Sequence, residues 1–174
     1  MKKLLVACCC APCSVAPFEY LSDRFDLTLL WYNPNIHPFI EYKKRLNSFL
    51  DFADKVSAKT IVKDEYDLQK FLQAITFRES SRCEICYYIR LKHAFTIAKN
   101  GGFDMLTSTL LYSKSQNHTQ IVQTSKALSK EFGIEFFYYD FREFWRQGIE
   151  KSKELNLYRQ NYCGCIYSEW ERYR

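Results

Sequence analysis

Apolar runs alternate with amphipathic stretches along almost the whole chain, and no other feature narrows its possible folds so far. The runs "KKLLVACC" (2–9), "DLTLLWYN" (26–33), "AKTIVKD" (58–64), "FDMLTST" (103–109) and "IEFFYYDF" (134–141) read as strands. The intervening stretches read as helices over 15–24, about 38–56, 67–76, 83–100, 117–132 and about 143–157. In the second of these, Phe39, Tyr42, Leu46, Phe49 and Leu50 fall at helical spacing. Gly101-Gly102 and Gly133 provide stops for two others. The tail "YRQNYCGCIYSEWERYR" (158–174) shows no clear period.

Strands alternating with helices imply βαβ units: an α/β, doubly wound parallel sheet with helices on both faces. Right-handed crossovers put the first strand at the centre and give the order 3-2-1-4-5. The winding then reverses between the first and fourth strands, and ligands in such sheets bind in that crevice, beyond the carboxyl ends of the strands. The segment leaving the first strand at that point is "CCCAPC".

The size of the chain, 174 residues, suits a single domain over 1–174 that includes the tail at 158–174. A composition that is 47% hydrophobic with five Gly and four Pro supplies a large core and few linkers. The net charge, 25 − 20 = +5, permits a polyanionic partner without demanding one. "MKKLLVACC" has the order of a lipoprotein signal, but Leu4 to Ala7 gives four apolar residues where about 7–15 are needed. No run approaches the ~18 apolar residues of a membrane span. The expectation is a soluble cytoplasmic protein without a membrane partner, a monomer, in which clustered cysteines signify metal or redox chemistry.

The eight cysteines fall into three groups: Cys8, Cys9, Cys10 and Cys13; Cys83 and Cys86; Cys163 and Cys165. Cys83-Glu-Ile-Cys86 opens a helix, where exposed N–H groups and the helix dipole favour thiolates. It belongs to the crossover between the third and fourth strands, which can bring it beside the loop after the first. A lone CxxC fits zinc, a redox pair or a cluster. Structural zinc prefers two separated knuckles, and adjacent cysteines are expected to reach one small ion with difficulty. An iron–sulfur cluster, with separated iron corners, accepts them more readily. Spacing ranks a cluster first and leaves zinc and thiol exchange open, with room for a second metal. Cys163-Gly-Cys165 reads either as two surface thiols or as a redox pair, Gly164 allowing the tight backbone a CxC bridge needs.

The remaining polar signals are weaker. His37 in "NPNIHP" follows the second strand and is either directed at the crevice or solvated, and His93 reads as structural. Ser113 to His118 follows the fourth strand, at a helix start that suits an anion or is an ordinary cap. Asn33, His37, Asn117, His118 and Arg142 are the candidates for substrate contacts. Arg142, Arg146, Arg159, Arg172 and Arg174, with Tyr158, Tyr162, Tyr167, Trp170 and Tyr173, make the end of the chain basic and aromatic. That mixture suits stacking on RNA bases as well as an ordinary amphipathic surface.

Taken together, "CCAPCS", "NPNIHP…EYKKR", "RCEICYYIRL", "TSTLLYSKSQNH" and "ELNLYRQNYCGCIYS" resemble the cobalamin-independent epoxyqueuosine reductase family, QueH, through nearly the whole chain. The resemblance implies reduction of epoxyqueuosine to queuosine at the wobble position of tRNA, the last step in making that nucleoside. It also implies a fold related to the adenine-nucleotide alpha-hydrolase-like (HUP) group that includes the ATP pyrophosphatases, although cysteines stand where their SGGxDS-type loop would be. By resemblance, Cys9, Cys10, Cys83 and Cys86 hold a [4Fe–4S] cluster, Cys163 and Cys165 form a redox-active disulfide, and Cys13 is free for an additional mononuclear iron. Cys8 is left to strand packing. Without a flavin or nicotinamide signature, an external donor such as ferredoxin is expected. The rival readings are a zinc-binding tRNA- or RNA-binding module without catalysis and a CxxC thiol–disulfide oxidoreductase.

Overall fold

The computed structural model describes residues 1–174. Its sheet has the strands β1 (Lys3–Cys8), β2 (Asp26–Trp31), β3 (Lys59–Val62), β4 (Met105–Ser108) and β5 (Glu135–Phe136) in the order β3-β2-β1-β4-β5. Every pairing is parallel, with Leu5 opposite Thr28 on one side of β1 and opposite Leu106 on the other. The expected fold class and strand order are therefore both observed. β1 is central because it is apolar on both faces: Leu4, Leu5 and Val6 are buried, as are Leu29, Leu30 and Trp31 of β2.

The helices are α1 (Ala11–Ser22), α2 (Phe39–Lys55), α3 (Leu68–Ile75), α4 (Arg82–Asn100), α5 (His118–Phe132), α6 (Trp145–Glu154) and α7 (Ile166–Tyr173). α1 begins four residues before its expected start at 15, because Pro12 is compatible with a first helical turn, where a missing N–H costs nothing. The Asn117 side chain caps α5 by accepting from Gln120 N at 3.1 Å, and Gly133 ends it in the left-handed region at φ 68°.

Two expectations at the end of the chain need correction. The strand expected over 134–141 shrinks to Glu135–Phe136, because its aromatic residues turn to pack on helix α1 and its surroundings. Tyr139 lies 4.2 Å from Tyr20, Phe137 lies 5.1 Å from Phe25, and Phe141 is buried in a 3-10 turn. The tail contains α7, which buries none of its residues. At eight residues the helix is too short for its apolar side, Ile166, Tyr167, Trp170 and Tyr173, to register as a sustained period.

Candidate metal centre

β1 delivers its last residues to the crevice next to β4. Cys8 ends the strand inside the core, where burial pushes its thiol up to about 12, consistent with a packing role. The chain then turns. Cys9 N–H donates to Thr109 Oγ1 at 2.9 Å, the Thr109 hydroxyl lies 3.2 Å from Cys9 Sγ, and Thr109 follows β4 directly. Cys10, in extended conformation, starts α1, and Cys13 sits in its first turn.

This turn breaks the strand alternation that would send neighbouring side chains to opposite faces. The sulfurs of Cys9, Cys10 and Cys13 all lie within 4.8 Å of one another, and those of Cys9 and Cys10 are 4.0 Å apart. Thiolates at the corners of a tetrahedral ion with ~2.3 Å bonds are separated by roughly 3.8 Å. The expected difficulty for adjacent cysteines is thus absent, and the three together can bind a metal. Hydrogen bonding from the thiols of Cys10 and Cys13 holds Cys9 well below the usual thiol range, while Cys13 is raised by its own bonds to Cys10 and Cys9.

Cys83 and Cys86 occupy the first turns of α4. The helix start was expected to favour their thiolates. Burial instead pushes Cys86 up to about 12 and raises Cys83, with charge on nearby Cys163 adding to both. The dipole is outweighed by lost hydration.

The tail folds back over the crevice, Gln160 reaching Cys10 across 150 positions. Cys163 Sγ accepts from Gln116 Nε2 at 3.1 Å, and Gln160 Nε2 lies 2.9 Å from Cys10 Sγ. Cys163 and Cys165 both carry free thiols. The backbone between them is clamped from α2: Arg45 Nη1 donates to Cys163 O at 2.6 Å and Nη2 to Tyr162 O at 3.0 Å. Arg45 Nε is paired with Glu41 at 2.7 Å, and Tyr158 OH donates to the other Glu41 oxygen at 2.7 Å. His37, fully buried rather than solvated, completes the clamp. Its N–H donates to Gly164 O at 2.8 Å and its Nδ1 accepts from Ile166 N at 3.3 Å.

A cavity of about 250 Å³ opens onto the trio, lined among others by Cys9, Cys10, Cys13, Arg90, Tyr112, Trp145, Arg159, Gln160 and Cys163. Tyr112 and Trp145 stack at 5.2 Å in its wall, and Gln160 Oε1 is buried without a partner. None of the five expected substrate contacts lines this cavity. Asn33 is buried between Cys8 O and Arg90, and His37 holds the tail. Asn117 N–H donates to Tyr87 OH, which donates to Gln116. His118 faces Tyr138 OH at 3.0 Å, and Arg142 is paired with Asp140 at 2.7 Å.

Two of the residues around the thiols carry sequence signals. Arg90 lies four positions after Cys86 and Arg45 four after Glu41, each on one helix face with its partner. Trp145 and Gln160 carry none. His93 is structural as expected, stacked on Tyr32 at 3.8 Å.

Fold and site define a parallel α/β protein with a cluster of three cysteines, able to hold a metal, at its switch crevice beside a cavity of about 250 Å³. A family model described as "Epoxyqueuosine reductase QueH" matches residues 4–171. A Dehalococcoides mccartyi protein named epoxyqueuosine reductase QueH is 36% identical over 172 residues, spanning 98% of this chain and 94% of its own. Proteins of the same name from Thermotoga maritima (32% identical, 99% of this chain and 93% of its own) and Histophilus somni (35%, 95% and 72%) are similar throughout. The chain belongs to the epoxyqueuosine reductase QueH family. None of its helices is long and apolar enough to cross a membrane.

Proposed function

We propose that this protein reduces epoxyqueuosine to queuosine in tRNA, in the cytoplasm and as a monomer, with a [4Fe–4S] cluster held by Cys9, Cys10, Cys83 and Cys86 and an additional iron at Cys13. The observation that supports a metal here is the convergence of the Cys9, Cys10 and Cys13 sulfurs within 4.8 Å at the mouth of the cavity, while the division of ligands among Cys13, Cys83 and Cys86 follows the family resemblance. The donor set fits the group: three converging thiols suit iron–sulfur centres and soft metals.

Converting an epoxide to an alkene takes two electrons and two protons and releases water. The bound centre would pass electrons singly and offer a Lewis acid for the epoxide oxygen. The chain supplies the rest. A cavity of about 250 Å³ is below the ~300–1,000 Å³ of whole-ligand pockets, so it takes the epoxide-bearing ring and leaves the tRNA on the surface. Tyr112 and Trp145 present apolar faces to that ring, and Gln160 Oε1 is free to accept from a hydroxyl. Outside, Arg174 lies 4.7 Å over the exposed Trp170 ring, the kind of basic and aromatic surface that binds phosphate and stacks on bases. Cys163 and Cys165 serve as the redox pair, and electrons come from a donor such as ferredoxin.

Anaerobic reconstitution tests the reading. The wild type should turn brown with iron and sulfide bound, whereas a zinc module stays colourless. Cys83→Ser or Cys86→Ser should abolish incorporation in a folded protein, and Cys13→Ser should lower iron while sparing sulfide. Full iron and sulfide in both CxxC variants would sink the ligand assignment.

A further inference from the structure

Arg90 lies against Cys86 and lines the cavity that also holds Cys9, Cys10, Cys13 and Cys163, without a carboxylate partner. It is 9% exposed; its Nη1 lies 4.0 Å from Cys86 Sγ, and its Nη2 donates to Asn33 Oδ1 at 2.7 Å. A buried cation without an anion is costly, and such charges persist where a partner exists in the working state. The groups that feel its charge are Cys86, Cys9 and Cys163, one from each cysteine group. Asn33, fully buried, fixes its direction. Its Nδ2 donates to Cys8 O at 2.9 Å, which turns Oδ1 toward the guanidinium. The amide thus ties Arg90 to the end of β1, the segment that carries the trio.

We propose that Arg90 is the fixed counter-cation of the thiolate-held metal centre, raising its reduction potential, with Asn33 as the positioning residue that aims it. This rests on the iron–sulfur reading above. A thiolate-ligated cluster gains negative charge on reduction, so a cation held against its ligands favours the reduced form. Arg suits the task because it stays protonated when buried and its planar fork bonds to Asn33 and the sulfur together.

The test is a potentiometric titration of the reconstituted protein, followed by its spectrum and independent of turnover. Arg90→Met should bind iron and sulfide as the wild type does, yet its midpoint should fall by about tenfold in the oxidised-to-reduced ratio, or 59 mV for one electron. Arg90→Lys should recover most of the shift. A loaded Arg90→Met with an unchanged midpoint overturns the proposal, as does a Lys variant that behaves like Met. Should Arg90→Met take up no cluster, Asn33→Asp decides. A carboxylate against Arg90 should lower the midpoint, and an unchanged value overturns the role. Absence of iron and sulfide in the wild type is a separate result and defeats the parent reading instead.

Discussion

Arg45 and His37 both hold the Cys163–Cys165 segment, and Arg45 does so with a buried charge. Replacing it with Met keeps most of the volume and removes the charge. The guanidinium is 2% exposed and makes three bonds, at 2.7 Å to Glu41, 2.6 Å to Cys163 O and 3.0 Å to Tyr162 O. Hydrogen bonds to charged groups are worth about 1.5–3 kcal/mol each, but the larger effect is on what remains. Glu41, 8% exposed, is left with Tyr158 as its partner. Breaking a buried pair in this way costs about 3–5 kcal/mol, a large share of a typical stability of about 5–15 kcal/mol. Urea unfolding of the apo-protein should show a lower Cm with an unchanged m-value. The double variant Glu41→Gln/Arg45→Met should regain at least half of the loss, because the stranded carboxylate is gone. Amide exchange at 163–166 should quicken in both, since neither clamps the tail. A loss below about 1 kcal/mol, or a double variant worse than the single, would refute the argument.

Other expectations are equally open to measurement. Burial holds the His37 imidazole down to about 4, so between pH 6.5 and 4 the unfolded chain takes up a proton that the folded chain refuses. Stability should therefore fall by about 3 kcal/mol across that window and level off below it, and His37→Gln should remove the step; identical Cm-versus-pH profiles would disprove this. A Cβ on Gly148 would lie 2.8 Å from Tyr112 Cζ, so Gly148→Ala should cost about 1–3 kcal/mol and disturb the cavity wall; wild-type stability and turnover would count against it. Cys163→Ser/Cys165→Ser should keep the metal centre's absorption and form less product, while unchanged turnover would make the pair a bystander. Binding to tRNA should weaken as salt rises, and an affinity insensitive to ionic strength would argue against phosphate contacts.

The sequence by itself determined the sheet. The alternation of apolar runs and helical periods is a local signal, written within each element, and the handedness of βαβ crossovers converts it into one strand order. The same logic brought "CCCAPC" to the switch crevice, because a loop after a central strand has nowhere else to go. The motifs at Cys9, Cys83 and Cys163 marked the family for the same reason: each is contiguous.

Tertiary structure alone decided the rest. The 4.0 Å between Cys9 and Cys10 comes from a strand-to-helix turn whose dihedral angles the residue types do not dictate. Arg45 meets Cys163 across 118 positions, and Gln160 meets Cys10 across 150. Such distances depend on how several packed elements add up, and no local period encodes them. Asn33 shows the limit best. Its place at the carboxyl edge of the sheet was legible and suggested a substrate contact, yet the fold turned it inward to hold Arg90. Position along a strand is a property of the sequence; the partner a side chain finds there belongs to the fold, since burial forces each polar group to bond with whatever packing brings within reach.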